Sequence, residues 1–584
     1  MSVTHPVSRS VVDTLPCPPP TAPAPRPDRS GWRRRDRSRL LVSAAVASLG
    51  VVGLASALSL PLRDRLHLLL DAVPFYVPTT AAITLAFVSV ALIVLARGLR
   101  RGQRLAWGAT LGLLSASAGL HLARGLDAEW AVVTGVVVVA MLRARRAFPV
   151  RSTRAVVRRA ATVLTAGTAV LTAAAATLAS ATGTTDVATA LRDSVTSMAG
   201  SSVLPVDLTT GVATPVVVAL APAVLAGALW VLTSPAHGAR VLRHGHHLDR
   251  EAARAVVRRH GGGTLDYFAL RDDKHWFFDG ESVVAYGLRG GICLVSPDPI
   301  GPGAERRQVW EAFMSFAEVH GWTVAVLGAA PDRLDLYEDW GMRPVYLGDE
   351  AVVDCPTFSV SGHSMRGLRG TRNRLTREGW TVTFHDPADL DPDLRDRLRG
   401  LSTQSRRGAV ERGFSMTLSR LFDPDDTGLM VSVARDPAGV PQAFVQWTPS
   451  ADVDGWSLDV MRRSDDPDLP NGVTDLCVLA TIDHVAASGR RGLGLNFAIW
   501  RTVLAGERPG PLGELGRRAL VQASERGQID SLRRFNDKFH PDWTPRYVVL
   551  GRTGALAAQA ITIADAEGIS ELPLVGRFMR GLDR

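Results

Sequence analysis

Two different patterns of apolar positions divide this chain. From about residue 40 to 233, Ala, Val, Leu and Gly run on with charges confined to short clusters. Apolar runs of roughly 17–23 residues are long enough to cross a hydrocarbon layer of about 30 Å as helices. We read about six of them, at 40–62, 78–96, 105–123, 126–142, 160–181 and 212–233. From about residue 248, apolar residues instead alternate or recur at helical spacing among mixed charges, as in a water-soluble α/β domain.

Within that second region the pattern predicts helices at Leu248–His260, Arg307–His320, Leu334–Trp340 and Met365–Gly379, and near 389–400, 473–488, 513–523 and 528–539. Strands are predicted at Asp266–Leu270, Trp276–Phe278, Val283–Gly287, Gly291–Val295, Thr323–Gly328 and Trp380–His385. More strands follow near 428–435, 441–448, 455–461, 492–497 and 543–550. The order recurs, which predicts a duplicated α/β fold around a mixed sheet. The domain reading is therefore a disordered, Pro-rich basic tail (1–39), an all-α transmembrane bundle (40–233), a linker (234–247), the soluble domain (248–555) and a tail (556–584).

Charge orients the first half. The chain of 584 residues carries 66 Lys and Arg against 57 Asp and Glu, a formal net charge of +9. Much of the excess is Arg beside the apolar runs. Arg33 to Arg39 precede the first run, Arg97, Arg100, Arg101 and Arg104 follow the second, and Arg143 to Arg159 follow the fourth. The intervening loops are neutral or acidic. This alternation predicts a multi-pass plasma-membrane protein with both termini and the soluble domain cytoplasmic. No run carries the central Asp, Glu or Lys cluster of an ion pathway, so the reading is an anchor and lipid-access module.

Cys17, Cys293, Cys355 and Cys477 form no CxxC pair, and no His lies at zinc-ligand spacing from them. Buried reduced thiols are expected, with no metal and no cofactor. No GxSxG, HExxH or GK[ST] motif occurs.

Three stretches carry candidate chemistry. Arg366, Arg369 and Arg372, then Arg374 and Arg377, recur at three-residue steps, giving one side of a helix a charge density suited to phosphates. A plain solvated face is the alternative. Asp459 and Arg462 lie at a strand end; strict alternation puts Asp459 on the face of Met461, so the two meet only if the strand stops there. They are either a structural ion pair or a site carboxylate and its cation. Finally, Arg533, Arg534, Lys538, His540 and Arg546 are interleaved with Phe535, Phe539, Trp543 and Tyr547, a mixture that suits a polyanion.

Together these blocks resemble a known family. Residues from about 248 to 551 are similar to the cytosolic synthase domain of the phosphatidylglycerol lysyltransferase (multiple peptide resistance factor) family, in its actinobacterial branch. The blocks that carry the resemblance include Leu265–Lys274, Asp298-Pro-Ile-Gly301, Glu411-Arg-Gly413-Phe414 and Asp459-x-x-Arg462. Others are Pro470-Asn471-Gly472, Leu495–Ala498, Gln528–Arg533 and Lys538–Tyr547. The resemblance implies a tandem acetyltransferase-like (dual GNAT) fold that moves an aminoacyl group, expected to be lysyl, from aminoacyl-tRNA to phosphatidylglycerol. The product would make a membrane less anionic and more resistant to cationic peptides. Carried over by motif, Asp459, Arg462, Lys538 and Arg546 would line the site. A lysyl ammonium would need an acidic group, for which Glu411, Asp475 and Asp537 are the candidates. Arg366 and Arg369 would hold tRNA. Self-association is compatible with this reading, and the smaller number of spans than in the family's full-length members leads us to expect no lipid export. Transfer to another acceptor and a non-catalytic lipid-binding scaffold are the alternative readings.

Overall fold

The computed structural model describes residues 29–58, 76–124, 128–152, 154–181, 213–234, 246–406, 413–499, 529–551 and 555–567. The expected tail before residue 29, most of the linker, Glu411 and the expected helix at 513–523 lie outside the described residues. The chain forms two compact units, 28–237 with 316–322, and 238–315 with 323–584.

Helices dominate the described part of the first unit: α1 (Arg29–Leu58), α2 (Tyr76–Arg100), α3 (Arg104–Arg124), α4 (Ala128–Arg143), α5 (Arg154–Ala181) and α6 (Ala213–Leu232). Among the described residues one helix, over Gly31–Ala55, is long and apolar enough to cross a membrane. Val42, Val46, Leu92, Leu99, Leu114 and Met141 pack into its core. The arginines that close α2 are tied to the end of α6. Arg101 donates to the Thr233 carbonyl at 2.8 Å, Gln103 donates to the same oxygen at 3.1 Å, and the Arg97 guanidinium lies 3.3 Å from the Trp230 ring centre. A helix leaves its last carbonyls unpaired and its C-terminus partly negative, so cations satisfy both needs there.

The second unit is built on one sheet of eleven strands. They are β1 (His275–Asp279), β2 (Ser282–Arg289), β3 (Ile292–Val295), β4 (Thr323–Ala329), β5 (Arg343–Asp354), β6 (Thr381–His385), β7 (Met430–Arg435), β8 (Pro441–Ser450), β9 (Gly455–Arg463), β10 (Gly492–Ile499) and β11 (Asp542–Leu550). The helices are α7 (His246–His260), α8 (Arg306–His320), α9 (Leu334–Glu338), α10 (Arg366–Arg377), α11 (Pro392–Arg406), α12 (Val473–Ala487), α13 (Ile529–Asp537) and α14 (Leu556–Ala566). Sheet order is β1-β2-β3-β4-β11-β5-β10-β9-β8-β7-β6.

This order contains a duplication with an exchange. In the first half, β3 and β4 are parallel and joined through α8; in the second, β9 and β10 are parallel and joined through α12. Each half ends in a strand that pairs antiparallel with the other half's sheet: β11 with β4, and β5 with β10. The two exchanged strands pair with each other at the centre. The expected duplicated mixed sheet is present, and the halves share it.

Three expectations need correction. Asp266–Leu270 is a 3-10 turn, because the Asp266 carboxylate accepts the Gly262 and Gly263 N–H groups and curls the chain. The strand pattern also missed β5, twelve residues long, which carries Pro344, Gly348, Asp349 and Glu350, all poor strand formers. Asp349 and Glu350 are nonetheless buried. The helix α14 adds Ile563 and Ala566 to the core of the first half, although the pattern left it in a tail. Cys293, Cys355 and Cys477 are buried free thiols.

β9 and β10 are paired over three rungs, Gly455–Ser457 against Gly492–Gly494. A Cβ on Gly455 would collide with the Gly492 carbonyl oxygen. Gly455→Ala should therefore force the strands apart, costing about 2 kcal/mol or more, read as a lowered denaturant midpoint of the solubilised chain.

Candidate active site

Beyond those three rungs the two parallel strands part. On β9 the register with β8 jumps: Trp447 faces Leu458 and Gln446 faces Val460, so the register skips Asp459. An extra residue of this kind is a β-bulge. On β10 the register with β5 jumps between Gly494 and Phe497, with Asn496 at φ 69°. The side chain of Asn496 bridges the gap, donating from Nδ2 to the Leu458 carbonyl at 3.3 Å and the Met416 carbonyl at 3.2 Å.

The bulge corrects the alternation argument. Leu458 and Met461 both join the core around α12, while Val460 and Phe444 (opposite Arg462) join the core around α11. The extra residue resets the parity, so Asp459 and Arg462 share a face without the strand ending. Asp459 is 3% exposed. Its Oδ1 accepts the Leu418 N–H at 2.9 Å and its Oδ2 accepts Gln446 Nε2 at 2.7 Å. The Leu418 N–H and the Gln446 amide thus fix the direction of this carboxylate. Arg462 Nη1 donates to the Met461 carbonyl at 2.9 Å.

A second group gathers on the α12 side. Lys538 Nζ lies 3.0 Å from both carboxylate oxygens of Asp475, in the first turn of α12, and 5.2 Å from the Phe535 ring centre. Lys538 is half exposed. A pair so wet is worth under about 1 kcal/mol, so a competing anion or cation can open it at little cost. The basic helix α10 borders the same turn: Arg374 donates to the Asn471 carbonyl at 2.6 Å, and a Cβ on Gly472 (φ 91°) would meet Thr371. Leu368 and Leu375 fix α10 to the core. Arg369 donates to the Val360 and Gly362 carbonyls at 2.7 and 3.0 Å, and Arg366 is exposed.

Arg546 lies on the β5–β11 seam. It donates from Nε and Nη2 to Glu350 Oε2 at 2.9 and 2.5 Å, and from Nη2 to Thr264 Oγ1 at 3.0 Å. Burial works against its charge, but Glu350 more than compensates and raises its pKa. Asp298, near this guanidinium, is pushed up to about 6 by burial, against the stabilising donors Tyr337 Oη and the Ala330 N–H. The structure thus sets Asp459 and Arg462 on one face of β9 and brings Lys538 to Asp475 beside α10, while Arg546 pairs with Glu350 in a buried acidic cluster.

Several residues at this site went unread. The segment Gly413–Leu418, whose last N–H reaches Asp459, is held from the first half. Arg271 donates to the Gly413 carbonyl at 3.0 Å and to Thr417 Oγ1 at 2.6 Å, and the Phe414 ring centre lies 4.5 Å from Lys274 Nζ. Glu567 Oε1 accepts the Ser415 N–H at 3.0 Å. Arg271, Lys274, Gly413, Phe414 and Asn496 fall in blocks that the resemblance marks, whereas Ser415 to Leu418 and Glu567 do not. Among the described residues no group of three or more His, Cys, Asp or Glu is arranged to hold a metal.

Lys274 is completely buried, with Nζ donating to the Phe268 and Ser296 carbonyls at 2.9 and 2.7 Å. Burial lowers its pKa from 10.5 to about 7. Between those values the unfolded chain holds a proton that the folded chain lacks, so this group makes stability rise with pH from about 7 to 10.5 and adds no slope below. Lys274→Met should flatten that rise, read as melting temperature at pH 7, 8 and 9.

Comparison with known proteins places these features. Residues 254–550 match the family described as phosphatidylglycerol lysyltransferase, C-terminal, and residues 35–233 match the transmembrane region of lysyl-tRNA synthetase. The lysylphosphatidylglycerol biosynthesis bifunctional protein LysX of Mycobacterium ulcerans (strain Agy99) is 33% identical over 335 residues, covering 56% of this chain and 30% of that protein. LysX of Mycobacterium tuberculosis (strain ATCC 25618 / H37Rv) is also 33% identical over 335 residues, covering 56% of this chain and 28% of its own. The chain thus spans under a third of the length of these curated relatives. Among solved structures, L-PGS from Bacillus licheniformis is 25% identical with a TM-score of 0.47, over 55% of this chain and 96% of that one. The C-terminal domain (DUF2156) of a putative lysylphosphatidylglycerol synthetase from Agrobacterium fabrum is 26% identical with a TM-score of 0.46, over 55% and 97%. With just over half of its residues matched in one continuous block, the chain belongs to the phosphatidylglycerol lysyltransferase C-terminal family.

Proposed function

We propose that this protein transfers a lysyl group from lysyl-tRNA to phosphatidylglycerol. The observation that carries this reading is the buried Asp459 carboxylate at the parting of β9 and β10, inside the family-matched region. A glycerol hydroxyl of the lipid attacks the ester carbonyl of the aminoacyl-tRNA. The new ester forms as the bond to the ribose oxygen breaks, and the hydroxyl's proton passes to that oxygen. One oxygen ester replaces another, so positioning and charge stabilisation must lower the barrier.

In this scheme Asp459 orients the attacking hydroxyl or the aminoacyl amine, and Arg462, on the same face, stabilises the developing oxyanion. The Lys538–Asp475 pair opens to receive substrate charges, with Lys538 taking a phosphate and Asp475, or Glu411, the lysyl ammonium. Arg366 and Arg369 on α10 bind the acceptor stem of the tRNA; a helix side with so many cations and few acids supports that role. Arg546 contributes by holding β11 to β5. The apolar runs between 40 and 233 form about six membrane spans with both termini cytoplasmic, supported by the alternation of arginine-rich loops. The outcome is a less anionic membrane, hence resistance to cationic peptides.

The test supplies solubilised full chain with lysyl-tRNA and phosphatidylglycerol vesicles and identifies the lipid product by mass spectrometry. Asp459→Asn should lower transfer about 100-fold or more, and wild-type rates would reject the site. Transfer only to a different lipid would move the assignment to another acceptor. Arg366→Glu with Arg369→Glu should raise KM for tRNA about tenfold and make it less sensitive to salt, with kcat little changed. Protease added outside right-side-out vesicles should spare the soluble unit, and cleavage there would reverse the orientation.

A further inference from the structure

The Asp459 carboxylate is aimed by a backbone N–H, and that N–H belongs to a strap that the other half of the domain holds. Gly413–Leu418 crosses the place where β9 and β10 part. On the second-half side it gives the Leu418 N–H to Asp459 and receives the Asn496 amide on its Met416 carbonyl. On the first-half side Arg271 grips its two ends, and Lys274 lies against Phe414. Its middle is fixed by Glu567, which follows α14 and accepts the Ser415 N–H at 3.0 Å. Glu567 is 7% exposed, and the Ser415 N–H offsets part of the cost of burying its carboxylate. Gln559, on the same helix, donates to the Val324 carbonyl at 3.1 Å, and Ile563 and Ala566 pack in the first-half core. The helix is therefore a fixed support, so what it holds is fixed with it.

We propose that Glu567, which lies beyond the family-matched residues 254–550, is a positioning residue of the transfer site: it anchors the Gly413–Leu418 strap whose Leu418 N–H orients Asp459. The proposal rests on the reading of Asp459 as the site carboxylate. It implies that a chain cut after the matched region keeps every residue of the substrate scheme yet loses the aim of its central carboxylate. The strap carries no proton and forms no bond in the reaction. Its effect falls on the alignment of reacting groups, which governs kcat, and less on substrate binding.

The test compares two replacements of equal length in the full chain. Glu567→Gln keeps a carbonyl acceptor for the Ser415 N–H; Glu567→Met fills the same space without one. With lysyl-tRNA and phosphatidylglycerol vesicles, Glu567→Met should lower kcat about tenfold while KM for lysyl-tRNA stays within about twofold, and Glu567→Gln should restore most of that loss. Equal kcat for the two variants overturns the proposal, as does a loss that appears in KM alone. Should Glu567→Met fail to fold, Thr417→Val loosens the strap from its Arg271 end at a partly exposed position. A fall in kcat of about threefold then supports the proposal, and an unchanged kcat overturns it. Asp459→Asn measured alongside separates the two readings. If it transfers normally, the site assignment fails; if it is inactive while Glu567→Met is normal, the strap alone is refuted.

Discussion

At the centre of the soluble unit, β5 and β11 lie side by side, and Arg546 on one donates to Glu350 on the other from two nitrogens. Both side chains are nearly removed from water. A charge stranded there by loss of its partner would cost about 3–5 kcal/mol, so the pair strongly favours this register of the two strands. Because each strand is the last of its half and pairs with the other half's sheet, the ion pair is also where the duplicated halves are joined. Arg546 neutralises part of a buried acidic group that includes Asp298 and Asp266, which explains why an arginine in a motif that suits polyanions is turned inward.

The exchange of strands shapes the candidate site. A parallel pair such as β9 and β10 needs neighbours to satisfy its backbone once the two strands separate. Here β10 has β5, from the other half, along its far edge, and Asn496 supplies donors inside the gap. The bulge at Asp459 then turns a carboxylate into the opening, and the strap supplies the N–H that fixes its direction. A buried carboxylate, a cation on the same face and a gap between strands come together only because the two halves complete each other.

The first unit shows the same economy at smaller scale. Arg101 and Gln103 satisfy the terminal carbonyl of α6, and Arg97 stacks on Trp230. Arginines that the loop pattern reads as orientation signals thus also cap helices, and neither role requires a ligand.

Much of this was legible along the chain. The switch from long apolar runs to alternating patterns marks the division into two regions, because a bilayer and water demand different periodicities. The repeated order of strands and helices predicts the duplicated mixed sheet, and spacing alone brings the α10 arginines to one side. Other features were decided only by tertiary structure. β5 is a strand in spite of Pro344, Gly348, Asp349 and Glu350, because Arg546, nearly two hundred residues away, satisfies Glu350. Asp459 and Arg462 share a face because one extra residue resets the alternation, and a bulge leaves no periodic trace in sequence. Arg546 reads like Lys538 along the chain, yet one is buried and the other half exposed. Local patterns report which face of an element is apolar. Which distant group will satisfy a buried charge depends on how the strands are ordered, and the sequence alone left that order open.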